Sequence, residues 1–276
     1  AISLAACGGN SSRNNSVTPP EVRTDPILVM LNGSTNKGLI NRLDSDLNVE
    51  ARFSSGGNEG MAQDLLGNVY VADDTTTPSS FQTIHLAAQR EDSSLTDPAL
   101  ERDIDAPGSA TVKGIAVAHE AGLLFAANVG GNSIEVFGTA AGDMAQPLAS
   151  TALPANCWDL AYNETQDILF LAMTNGTILV VDDYVAGGFD ATGARSITPG
   201  DGTSISNIHG IAYRADTDTL VVTDVGDAAV ADDGKVYVIS NASSASGMVT
   251  PDRTLAGPAT MLGNPVDLIL EGNKAF

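Results

Sequence analysis

Short apolar runs, each closed by a polar turn, alternate along most of the chain. The most apolar are Asn68-Val69-Tyr70-Val71-Ala72-Asp73, Leu123-Leu124-Phe125-Ala126-Ala127-Asn128, Ile168-Leu169-Phe170-Leu171-Ala172 and Leu220-Val221-Val222-Thr223-Asp224. Runs of this length, bounded by Gly, Asn and Asp, predict strands rather than helices. Because they carry no polar face, they predict sheets covered on both sides.

Ahead of each run stands a recurring phrase: Gly60-Met61-Ala62, Gly114-Ile115-Ala116, Asp159-Leu160-Ala161 and Gly210-Ile211-Ala212. Asp267-Leu268-Ile269 opens a fifth copy, and the copies begin 45 to 57 residues apart. That period belongs to radial or stacked repeats, whose units bury their apolar faces only against neighbours. The third unit divides into four strands, Trp158–Tyr162, Asp167–Met173, Thr177–Val181 and Ala194–Thr198. The next repeats the plan with His209–Tyr213, Thr219–Asp224, Gly234–Ile239 and Asp252–Ala256. Units of this kind predict an all-β fold, a β-propeller of four-stranded blades.

The ends of the chain add to this. Pro26–Leu31, Gly38–Leu43 and Val49–Phe53 read as the last three strands of a blade, while Val266–Leu270 and Lys274–Phe276 begin another. The expectation is a partial propeller over residues 26–276, with about five blades present and an open arc, the chain stopping short at its C-terminus.

Two passages, Gly210-Ile211-Ala212…Leu220-Val221-Val222-Thr223-Asp224 and Leu124-Phe125-Ala126-Ala127-Asn128…Gly131-Asn132-Ser133-Ile134-Glu135-Val136, resemble the NHL/YVTN group of β-propellers, which includes the gluconolactonase relatives. The likeness extends over the chain after residue 25 and concerns architecture more than activity. It implies a metal in the central channel held by Glu, Asn and Asp, which by position are Glu59, Asn156, Asn207 and Asp267. Two features depart from that group: the Pro-Asn-Gly opening is missing, and Lys113 adds a positive charge to the same channel.

The residues leading each inner strand are where chemistry is expected independently of the resemblance. Oxygen donors there suit a hard divalent cation such as Ca2+. Asn residues at such positions also cap turns through side-chain bonds to backbone. His209 is a candidate general base if Asp159 or Asp267 lies within reach, and otherwise a polar lining residue. Trp158, the single tryptophan, and Lys113 are candidate ligand contacts: the indole can stack a flat ligand or pack between blades. His85 and His119 read as surface residues, and the Asp224…Asp233 loop as a solvated turn.

Composition narrows the partners. The chain has 13 basic against 34 acidic residues, a net charge of −21, which excludes nucleic acid for want of a basic footprint. The acidity fits either a solvated surface in a saline habitat or cation binding by clustered carboxylates.

Residues 1–7 end in Leu4-Ala5-Ala6-Cys7, which resembles the bacterial lipoprotein processing box, and a Gly/Ser/Asn-rich tether runs over 8–25. This predicts export, lipidation of Cys7 and anchoring to a membrane surface. Gly8-Gly9 rather than Asp follows the cysteine, implying the outer membrane by resemblance to Gram-negative lipoproteins. Cys157 is the only other cysteine, so no intrachain disulfide is expected. Two functions follow: a surface-anchored scaffold that binds a protein, glycan or small ligand, or a divalent-metal-dependent lactonase or hydrolase working in the channel.

Overall fold

The computed structural model describes residues 27–31, 38–44, 46–54, 57–65, 68–74, 81–88, 102–107, 111–142, 144–200, 206–271 and 274–276. The processing box, Cys7 and the tether lie outside them.

Strands β1 (Ile27–Leu31), β2 (Leu39–Leu43) and β3 (Val49–Ser54) form a three-stranded antiparallel sheet. Four blades follow. The first holds β4 (Met61–Gln63), β5 (Asn68–Asp73), β6 (Phe81–Ala88) and β7 (Arg102–Pro107). The second holds β8 (Val112–Ala118), β9 (Leu123–Asn128), β10 (Ser133–Gly138) and β11 (Ala149–Ala152). The third holds β12 (Cys157–Asn163), β13 (Ile168–Met173), β14 (Ile178–Val181) and β15 (Arg195–Pro199). In the fourth, β16 (Ile208–Arg214), β17 (Thr219–Asp224) and β18 (Lys235–Ser240) are laid down in turn. The chain then lends β19 (Gly247–Val249) to the third blade, where it pairs parallel with β15, before β20 (Arg253–Ala256) completes the fourth. A hairpin of β21 (Leu270–Glu271) and β22 (Lys274–Ala275) ends the described chain. Where a longer inner strand was expected over Val266–Leu270, pairing begins only with the reciprocal bonds of Ile269 and Phe276, at 3.0 and 2.9 Å.

The core lies between blades, and β13 shows why. All six of its residues are buried. Leu169, Leu171 and Met173 pack toward the second blade with Phe125 and Tyr184, while Ile168, Phe170 and Ala172 pack toward the fourth with Leu220 and Val222. The period of two in a strand sends alternate side chains to opposite neighbours, so an unbroken apolar run fills two interfaces. Each large side chain so buried contributes roughly 1.5–3 kcal/mol. Phe125 adds edge-to-face contacts with Tyr162 and Tyr184, at 5.1 and 5.2 Å.

The repeated glycine has a packing cause. A Cβ on Gly114 would stand 2.5 Å from the Cα of Asp159, and one on Gly210 would stand 2.6 Å from the Cα of Asp267. Inner strands of successive units therefore touch backbone to backbone, which only a residue without a side chain permits. Where Asp159 replaces glycine, its carboxylate reaches forward instead and accepts the Ile211 N–H at 3.1 Å.

Candidate functional site

Each inner strand starts with the same irregularity. The register slips between Val112 and Ile115 in β8, between Cys157 and Asp159 in β12, and between Ile208 and Ile211 in β16. In the first blade the N–H groups of Asn58 and Glu59 both donate to the Ala72 carbonyl, at 2.9 and 3.0 Å. A bulge re-aims the residue it contains. In this fold that residue is the one before the repeated Gly or Asp: Glu59, Lys113, Trp158 and His209.

Those four side chains meet from blade to blade. Glu59 accepts from the Lys113 ammonium at 2.7 Å, and Asp74 accepts from it at 2.6 Å. Asn58 holds Asp74 in place, donating to its Oδ1 at 2.7 Å. The ammonium also lies over the Trp158 ring, 4.7 Å from its centre. On the side of the following blade, the His209 ring stacks on the indole at 4.0 Å and 10°. The result is a ladder of anion, cation, aromatic and imidazole. Trp158 thus spends one face on His209 while it still lines the cavity.

The electrostatics follow from this geometry. Burial pushes Lys113 down, but its bonds to Asp74 and Glu59 outweigh that and hold it above the usual lysine value. It is a fixed cation, unsuited to act as a nucleophilic amine. Burial raises Glu59 more than Lys113 lowers it, whereas in Asp74 the bonds from Lys113 and Asn58 overcome burial and lower it. His209 is driven by burial to about 4, helped by the Lys113 charge and opposed by Asp224. It is a neutral ring at physiological pH, and its Nδ1 is buried with no partner among the described residues.

A cavity of about 640 Å³ runs along the inner strands from Glu59, Lys113 and Trp158 to Asp64 and His119. His119 is half-buried and lines its far end, because β8 runs to Ala118 and the turn folds over the cavity. The surface position expected from the sequence is therefore corrected; the side chain of His85 lies outside the described residues. Asp159 and Asp267 also face the cavity. Burial raises both carboxyls, and the charge of Asp267 pushes Asp159 higher still.

The four residues expected around a metal have different settings. Glu59 is engaged by Lys113. The carbonyls of Asn156 and Asn207 accept the N–H groups of Thr174 and Val225, closing each inner strand onto its neighbour. Thr111, at the same repeat position, does this for Val129, so the backbone rather than the amide performs the task. Asn207 Oδ1 is buried with no partner among the described residues. Among the described residues no three His, Cys, Asp or Glu side chains gather as a metal would require. With Lys113 supplying a cation already, this donor set fits a divalent ion poorly.

No family model matches the sequence, and no curated protein matches it. Solved structures do. Kuenenia stuttgartiensis hydrazine synthase is similar over 84% of this chain at 15% identity, with a TM-score of 0.55; the chain spans 65% of that one, just under two thirds of its length. A chain of a nidogen/laminin complex is similar over 87% of this chain and 81% of its own, at 15% identity and a TM-score of 0.56. The chain is a β-propeller. Likeness at this identity speaks for the propeller architecture alone. Sequence reasoning singled out Glu59, Lys113, Trp158 and His209 one by one, for separate roles. It missed the ladder, whose signal was their shared offset from the repeated Gly or Asp.

Proposed function

We propose that this protein is a binding scaffold, exported and anchored through Cys7 at a membrane surface, whose propeller channel takes a small ligand. One observation carries the reading: a single repeat position, re-aimed by a bulge in successive blades, sets Glu59, Lys113, Trp158 and His209 in contact in turn, with the first three at the cavity mouth and His209 buried behind Trp158. Structural repeats need like residues at like positions; four unlike ones, set in contact, suit selective binding. The likeness to NHL/YVTN propellers supports the scaffold, and the lipoprotein-like Leu4-Ala5-Ala6-Cys7 supports the anchor.

Trp158 is the only tryptophan and stands at that mouth, so its emission reports on the channel directly. The full chain is titrated with hexylamine, 1-hexanol, hexanoate, galactose and calcium chloride. A saturable change with at least one probe is expected, and an unchanged spectrum with all five ends the channel reading. For the anchor, Cys7→Ser should move the protein from the membrane to the soluble fraction of expressing cells.

The hydrolase reading has one observation in its favour, the unpartnered Asn207 Oδ1. Elemental mass spectrometry of the desalted protein separates the two. Stoichiometric calcium or another divalent ion, lost in Glu59→Gln, moves the assignment to a metal-dependent lactonase or hydrolase.

A further inference from the structure

We infer that the channel ligand is an organic cation with an apolar body, an alkylammonium compound whose charge sits at Asp159 and Asp267. This rests on the channel reading above and adds the chemistry of the occupant.

The argument is one of unmatched charge in a cavity with apolar walls. Glu59, Asp64, Asp159 and Asp267 line the cavity, against the single ammonium of Lys113. Glu59 is matched by that ammonium at 2.7 Å. Asp64 accepts from the Asn68 N–H and amide at 2.9 and 2.8 Å, and from Tyr70 at 3.3 Å. Asp159 and Asp267 have only backbone donors, Ile211 at 3.1 Å and Leu268 at 2.7 Å, and among the described residues neither pairs with a cation. Burial raises both carboxyls, and the charge of Asp267 pushes Asp159 higher still, as two acidic groups facing one cavity without a countercharge require. A cation entering there supplies the countercharge both lack. An anion meets repulsion, and a neutral ligand can offer the carboxylates a hydrogen bond but not the countercharge that makes an ammonium bond stronger.

The walls decide what kind of cation. Leu28, Met30, Ile115, Leu160, Ile269 and Phe276 line the same space. A hard divalent ion takes six to eight oxygen ligands, and among the described residues no third carboxylate, His or Cys is grouped with the pair. An ammonium needs only its few N–H groups satisfied, and two carboxylates do that. Its alkyl chain then lies along the apolar wall.

The test uses the full chain at neutral pH with hexylamine hydrochloride, 1-hexanol and sodium hexanoate, read by Trp158 emission and calorimetry. Hexylammonium should bind saturably, about tenfold or more tighter than hexanol, and hexanoate should not bind. Asp267→Asn should weaken hexylammonium about tenfold while moving hexanol by less than about twofold. Asp159→Asn, which keeps an oxygen for the Ile211 N–H, should act in the same direction. Equal affinity for hexanol and hexylamine overturns the inference and leaves the channel reading intact. So does indifference of hexylammonium to Asp267→Asn. If galactose or calcium binds while hexylammonium fails, the channel survives with a different occupant. If no probe binds, both readings fall together.

Discussion

The two ends of the inner strands follow opposite rules. At the far end from the ladder, the third and fourth blades repeat one device. Tyr162 donates to Asp167 at 2.8 Å, and Tyr213 donates to Asp218 at 2.9 Å. Each aspartate also binds the loop after the third strand of its blade: Asp167 takes the N–H groups of Val185 and Ala186, and Asp218 takes the N–H and hydroxyl of Ser243. In these two blades equivalent positions hold the same residues and do the same work, while the first and second blades have Gln63 and Val117 where the tyrosines stand. At the ladder end, equivalent positions hold Glu59, Lys113, Trp158 and His209. The staple of these two blades is a joint within a blade, whereas the ladder positions differ in all four. Some of the chain's acidity is explained on the same ground, because these aspartates serve as internal acceptors for backbone and hydroxyl donors.

The comparison breaks most sharply if the inner ring is pushed apart. Gly114→Ala places a methyl 2.5 Å from the Cα of Asp159, and backbone there cannot give way cheaply. A loss of about 3 kcal/mol or more is expected, read as a lower urea midpoint, together with a shifted Trp158 emission. Next comes the staple. Asp218→Ala strands the Tyr213 hydroxyl and the Ser243 N–H, and should cost about 2–3 kcal/mol while leaving Trp158 emission unchanged. A Trp158 shift of equal size in both variants would erase the division between the two ends.

Acid sharpens the picture at the ladder. His209 titrates near 4 in the folded protein against 6.5 unfolded, so below 6.5 the unfolded chain binds the extra proton. Stability from this group is intact above pH 6.5 and falls progressively toward pH 4, by about 2 kcal/mol near pH 5. The raised carboxyls of Glu59, Asp159 and Asp267 act with the opposite sign, since the folded state takes up their protons first as pH falls. The His209 part is therefore isolated by subtraction: wild type should lose more than His209→Phe, which keeps the stack on Trp158. Parallel pH curves for the two proteins would remove His209 from the account. The smallest effect is expected for Lys113→Met, about 1–2 kcal/mol, from leaving Glu59 and Asp74 without their shared cation. Its signature is a deficit against wild type that shrinks as pH falls, because Glu59 climbs further and takes up its proton first in the folded state.

Much of this architecture was legible because it rests on local pattern. Thr219–Asp224 is found with the expected limits, and the other strands of the third and fourth blades differ by only a residue or two. The apolar run of β13 announces burial on both faces, and the repeated Gly announces close approach. The bulges were not legible, since a slip in register depends on what the partner strand does rather than on the residues inside it. Nor was β19: Gly247–Val249 is a short, mostly exposed segment in a polar loop, and only the neighbouring blade gives it a partner. The carboxyl pair escaped for the same reason, because Asp159 and Asp267 belong to units two repeats apart.

That borrowed strand has a consequence for how the protein comes apart. Gly247–Val249 leaves the fourth blade to border the third, and Arg195 of β15 fastens the same loop by donating to the carbonyls of Ser243 and Ala245. Neither blade can open while the other stays whole. Under a pulling force, or in the slow exchange of amide protons, the two should yield as one block, a latch that turns adjacent repeats into a single mechanical unit.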